Sequence, residues 1–158
     1  MRLLIQRVNA ASVTVGNKKV SHIDRGILLL CGFHKSDTIG NIPKMAEKCL
    51  NLRVFEDAEG KMNLSLMEIN GSLLVVSQFT LYADCRKGRR PSFDSSMPPD
   101  DAQRLYNALI AEFRKSGLNV AKGIFGAKME VELVNDGPVT IMLDNGAFQE
   151  SRPTPSNI

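Results

Sequence analysis

The sequence predicts an α+β domain in which a mostly antiparallel or mixed β-sheet carries two main helices. Three observations support this. Short apolar stretches, alternating or continuous, recur from one end of the chain to the other. Only two segments switch to helical spacing, and strands and helices do not alternate regularly, which argues against a doubly wound parallel sheet. At 158 residues the chain has the size of one domain, able to bury roughly two thirds of its unfolded surface.

In order along the chain, MRLLIQRVNAASVTVGNKKVSHI reads as strands joined by a turn at Gly16-Asn17, and GILLLCGF, after Asp24-Arg25, as a fully buried strand. The period then changes. Ile42, Met45, Ala46, Cys49 and Leu50 fall on one face of a helix entered near Asp37, with Pro43 close to its start. RVFEDAEGKMN is expected as a strand and turn, and SLLVVSQFTL as another buried strand. PPDDAQRLYNALIAEFRKSG carries helix signals at both ends, two prolines and two aspartates in front and Lys115 and Gly117 behind. Its apolar face is Ala102, Leu105, Tyr106, Leu109 and Phe113. Met129, Val131 and Leu133 alternate with Lys128, Glu130 and Glu132, the period of a strand with one wet face. A turn at Asn135-Asp136-Gly137-Pro138 is expected to lead into VTIMLD, the last strand. Residues 1–144 then form the domain, and residues 145–158 a polar, proline-containing tail expected to fray.

Composition removes several function classes. The apolar share of 43% and charged share of 23% match globular averages. No apolar run approaches the ~20 residues of a membrane span, and MRLLIQRV lacks the features of a secretory signal, so a cytoplasmic protein is expected. Cys31, Cys49 and Cys85 are widely spaced and form no C-x-x-C pair, which signals neither a disulfide framework nor a zinc site. His22 and His34 pair with no cysteine or carboxylate at ligand spacing. No metal or other cofactor is therefore expected. The net charge of +3 is unremarkable in itself, and the clustering of charge carries more information.

That clustering lies in LLVVSQFTLYADCRKGRRPSF, residues 73–93. Ser77, Gln78 and Thr80 end a strand, and Arg86, Lys87, Arg89 and Arg90 follow around Gly88 with no acid among them, which suits a loop that contacts phosphates. Ser77 and Thr80 are candidate nucleophiles or simple turn formers, and a hydroxyl attacks only when a base takes its proton. Neither histidine lies in this stretch. Two classes stay open on the residues alone: a small-molecule esterase or amidase with Thr80 as nucleophile, and a catalytically silent RNA-binding module. The last is weakened by the scarcity of stacking aromatics, with no Trp in the chain and only Phe79, Tyr82 and Phe93 around the basic run.

SQFTLYADCRKGRRPSF and NDGPVT, with FEDAEGKMNLSL before them and GIFGAKM between, resemble the D-aminoacyl-tRNA deacylase family. Its two signatures, SQFTL and NxGPVT, stand here at Ser77 to Leu81 and Asn135 to Thr140. The resemblance runs from MRLLIQRV to VTIMLD, and the extension after Asp144 matches no family feature. It implies the family's fold and a cytosolic homodimer that cleaves the ester between a D-amino acid and the 3′-terminal adenosine of tRNA. It further implies catalysis assisted by the RNA's own 2′-hydroxyl, with Ser77, Gln78, Phe79 and Thr80 as the catalytic element and backbone donors around Phe79 and Thr80. Chiral selection falls by the same resemblance to a Gly-cis-Pro element, Gly137-Pro138, inserted from the partner subunit. Met129 is placed near the terminal adenosine, and Arg86, Lys87, Arg89 and Arg90 on the tRNA.

Overall fold

The computed structural model describes residues 1–146. β1 (Arg2–Val15) is the organising strand. Along one edge it pairs antiparallel with the whole of the final strand, β8 (Met129–Asp144). Because that edge is filled, its other partners share the opposite edge. β3 (Gly26–Gly32) pairs with the first half of β1 and β2 (Lys18–Ile23) with the second, as one returning path. β6 (Ser72–Ser77) adds parallel to β3, and β7 (Val120–Lys122) parallel to β6. The result is a mixed, strongly curled sheet. A separate hairpin joins β4 (Phe55–Glu56) to β5 (Met62–Leu64).

Two-residue periodicity explains why β3 and β6 read as unbroken apolar runs. Ile27, Leu29, Cys31, Leu73 and Val75 face a core shared with α1 (Ile42–Asn51) and α2 (Pro99–Arg114), whereas Leu28, Leu74 and Val76 face a second core with Val8, Val13 and Ile23. A strand buried on both faces has no polar positions to alternate. Both helices lie where their spacing places them, and every apolar-face residue named above is buried. α1 begins at Ile42, after a 3-10 turn over Ile39–Asn41. Asp37 instead accepts from the backbone N–H of His34 at 2.7 Å and pairs with the terminal amine of Met1.

Two expectations need correction, and one strand has no counterpart among them. The strand expected over residues 72–81 ends at Ser77, where its ladder with β3 ends at Cys31, and Phe79–Tyr82 forms a 3-10 turn. β7 was not legible, since three residues are too few to show a period. The turn expected at residues 135–138 does not reverse the chain. β8 runs through it, with Asn135 opposite Val8 and Thr140 opposite Gln6. The four residues 136–139 thus bulge out against the single residue Arg7, which re-aims the backbone without ending the strand. Of the expected tail, Asn145 is bonded to Met1 and Asp37, and residues 147–158 lie outside the described residues.

Candidate active site

The end of β6 opens into a cavity of about 640 Å³. Ser77, Gln78 and Phe79 form one wall, Met129 and Phe125 another, and Met97 and Ala102, at the entry to α2, a third. The wall is set by close backbone approach. Gln78 N–H donates to the Cys31 carbonyl at 2.7 Å, and a Cβ on Gly32 would lie 2.8 Å from the Gln78 carbonyl oxygen, so only glycine fits beside it. The 3-10 turn then presents Phe79 and Thr80 outward. Their N–H groups open the turn, which itself offers them no acceptor. Ser96 Oγ donates to the Phe79 carbonyl at 3.2 Å, and Thr80 Oγ1 accepts from Gln78 Nε2.

The turn is also held from behind. Arg2 Nη1 donates to the Leu81 carbonyl at 2.7 Å, its guanidinium lies 4.6 Å from the Tyr82 ring centroid, and its Nε bonds Asp144 at 2.8 Å. Tyr82 is buried, and that burial, with Asp37 and Asp144 nearby, pushes its phenol pKa up, so it stays a neutral packing group.

The cavity lining among the described residues holds one titratable side chain, Cys31. Complete burial pushes its thiol well above the ordinary range, and Sγ lies 3.5 Å from the Val76 carbonyl. Neither histidine serves the wall: His22 Nε2 lies 3.2 Å from Asp24, and His34 Nδ1 lies 2.7 Å from Ser36 Oγ.

Gly137 and Pro138 do not line this cavity. Both are exposed on the bulge of β8, the peptide between them is cis, and Gly137 has φ +124°. Behind them Arg7, 3% exposed, fills the bulge: Nε donates to the Asp136 carbonyl at 3.0 Å and Nη1 to the Val54 carbonyl at 2.7 Å. A Cβ on Gly137 would meet Arg7 Nη2 at 3.0 Å and Val139 Cγ2 at 2.9 Å.

The basic run lies in a loop closed by an Asp84–Ser92 bridge. Arg86 turns back on Asp84, Nη2 to Oδ2 at 2.6 Å, and holds that carboxyl down at about 2. Lys87, Arg89 and Arg90 have no ion pair among the described residues.

These features stand in a chain with close relatives. The family described as D-Tyr-tRNA(Tyr) deacylase matches residues 4–144. The D-aminoacyl-tRNA deacylase of Thermosipho africanus is 55% identical over 145 residues, which are 92% of this chain and 97% of the relative. The chain belongs to the D-aminoacyl-tRNA deacylase family. The D-aminoacyl-tRNA deacylase of a Roseiflexus species is 52% identical over 152 residues, 96% of this chain and 98% of that one. Among solved structures, one titled c-Myc DNA Unwinding Element Binding Protein is 44% identical at TM-score 0.86, covering 91% of this chain and 98% of its own. Another, titled as a probable eukaryotic D-amino acid tRNA deacylase, shares the fold at TM-score 0.79 and 21% identity, covering 90% and 97%.

Within this deacylase-family chain, the fold gathers Ser77, Gln78, Phe79 and Met129 at the cavity and sets Thr80 beside it. It keeps Gly137, Pro138 and the basic run apart from them in the same chain. Sequence reading missed Arg2 and Arg7, whose partners are 79 and 129 residues away along the chain. It also missed the cavity role of Phe93 and Phe125.

Proposed function

We propose that the chain hydrolyses the ester joining a D-amino acid to the 3′-terminal adenosine of tRNA, as a cytoplasmic homodimer with active sites at the subunit boundary. The observation that carries the mechanism is the lining of the cavity. It offers hydroxyl, amide and backbone groups, and among the described residues its one titratable side chain is a thiol held protonated. A site of this kind positions an ester and stabilises its developing oxyanion, and the 2′-hydroxyl of the RNA supplies the group that no side chain provides. Ser77 and Gln78 shape the wall, the N–H groups of Phe79 and Thr80 face the oxyanion, and Met129 lies against the terminal adenosine. Thr80 as nucleophile is less well supported, since its hydroxyl meets an amide, Gln78, and no base.

Chiral selection falls to the Gly137-Pro138 element, which does not line the cavity of its own chain. The exposed, Arg7-braced Gly137-Pro138 bulge suits insertion into the cavity of a second copy, its carbonyls accepting from the substrate ammonium. Val134 and Met142, 58% and 45% exposed on the same strand, support a covered β8 face. An L side chain then collides with fixed backbone while a D side chain points to the mouth. Selection by exclusion leaves glycine free to react, so glycyl-tRNA carried by a non-cognate tRNA is hydrolysed as well. Lys87, Arg89 and Arg90 contact tRNA phosphates, while Arg86, next to them, is held by Asp84.

Hydrolysis of matched D-, L- and glycyl-tRNA on one tRNA body tests this reading. Turnover of the D and glycyl esters with the L ester spared is expected, and rapid turnover of the L ester would defeat it. A substrate lacking the terminal 2′-hydroxyl is expected to resist, whereas Thr80→Ala retains turnover.

A further inference from the structure

Phe79 is 56% exposed although it lines the cavity, so its ring stands at the mouth. It is braced from the side: the Phe93 ring, also in the lining, meets it at a centroid distance of 5.0 Å and an interplanar angle of 67°. An edge-to-face pair fixes the orientation of a ring while leaving aromatic surface in water. The carbonyl of the same residue is fixed by Ser96. Phe93 follows Ser92, the residue that closes the basic loop on Asp84. Residues 85–91 make up the loop, so its tip is within about 14 Å of that closure along the backbone. Lys87, Arg89 and Arg90 are all exposed and without an ion pair among the described residues, and Arg89 and Arg90, four and three residues before Phe93, lie within about 14 Å of it along the backbone. A fixed apolar π-face beside unpaired cations is the combination that holds single-stranded nucleic acid: bases stack on the ring while phosphates meet the charges.

We propose that the exposed ring of Phe79, braced by Phe93, is the stacking platform for the nucleobase immediately 5′ of the terminal adenosine. The assignment rests on the proposed function: with the terminal nucleoside in the cavity, the chain of the RNA has to leave past the mouth. It gives the Phe79 side chain a task separate from that of its backbone N–H. Because every base has a π-face, the platform is indifferent to which base precedes the adenosine.

The test is a cycle of two changes. Wild type and Phe79→Ala are assayed on three D-aminoacyl esters: intact tRNA, the same tRNA with an abasic residue in the penultimate position, and D-aminoacyl-adenosine alone. Phe79→Leu, which keeps apolar bulk against Phe93 but no π-face, is carried alongside in case the alanine variant folds poorly. Both variants are expected to lower kcat/KM on intact tRNA about tenfold, mainly through KM. The abasic change lowers the wild type about equally, and the two losses do not add. Losses that add, or a loss of equal size on D-aminoacyl-adenosine, would overturn the platform and assign the ring to packing or to a subunit contact. Failure of the wild type on intact D-aminoacyl-tRNA would instead strike the proposed function itself.

Discussion

Arg7 Nε donates to the carbonyl oxygen of Asp136 at 3.0 Å, from a side chain that is almost wholly buried. One guanidinium thereby ties the residue preceding Gly137-Pro138 to the Val54 carbonyl, with the Asp136 carboxylate 3.1 Å away. The planar fork makes these bonds in fixed directions, which a lysine ammonium cannot reproduce. Arg7→Lys is expected to keep the fold but relax the bulge. Hydrolysis of L-aminoacyl-tRNA should rise relative to D, read as the ratio of the two kcat/KM values. Arg7→Ala leaves buried carbonyls without donors and is expected to cost about 2 kcal/mol in urea unfolding. Unchanged stereoselectivity in both variants would remove Arg7 from the selection device.

The basic loop has a measurable salt dependence. Four phosphate contacts on single-stranded RNA would give a slope of about −2.8, or about a fiftyfold loss of affinity for fourfold more salt. Arg86 is already compensated by Asp84, which leaves three free cations, a slope of about −2.1 and about a twentyfold loss. Arg89→Ala with Arg90→Ala should weaken D-aminoacyl- and uncharged tRNA alike and flatten the slope by about 1.4. An unaltered slope would make the loop purely structural.

Thiol chemistry gives an independent view of the same loop. Cys31 and Cys49 are buried, and burial raises both thiols, that of Cys49 to about 12. Cys85 is exposed next to Arg86. A disulfide reagent at neutral pH should therefore label one thiol per native chain and three after unfolding, since the thiolate is the reactive form. Saturating tRNA is expected to slow the labelling of Cys85. Fast modification of a second thiol in the native protein would contradict the burial of β3 or α1.

The Asp84–Arg86 pair predicts a local acid transition. The side-chain bond from Arg86 and its backbone N–H hold the folded carboxyl at about 2, below its unfolded value near 4. A lowered folded pKa means that the pair contributes above the unfolded value, and that contribution fades as pH falls from about 4 through about 2. Both groups are exposed, so the effect belongs to the loop and not to global stability. Carboxyl chemical shifts should show Asp84 titrating near 2, and Arg86→Ala should return it toward 4.

Local pattern determined a great deal here. The faces of α1 and α2, the buried runs of β3 and β6, and the proline and glycine punctuation are set by neighbours three, four or two residues away, so periodicity reveals them. SQFTL and NDGPVT were legible as motifs for the same reason, since their residues are contiguous. What the tertiary structure alone decided depends on partners far along the chain. Whether residues 135–138 turn or bulge depends on β1 continuing opposite them and on Arg7 filling the gap. Whether SLLVVSQFTL stays extended depends on where β3 stops offering a ladder. The cavity, too, is assembled from β6, the entry to α2 and the GIFGAKM segment, which only packing brings to one place. Hydrogen-bond partners and shared walls of this kind leave no periodic trace in a sequence, because the energy that selects them comes from contacts made after the chain has folded.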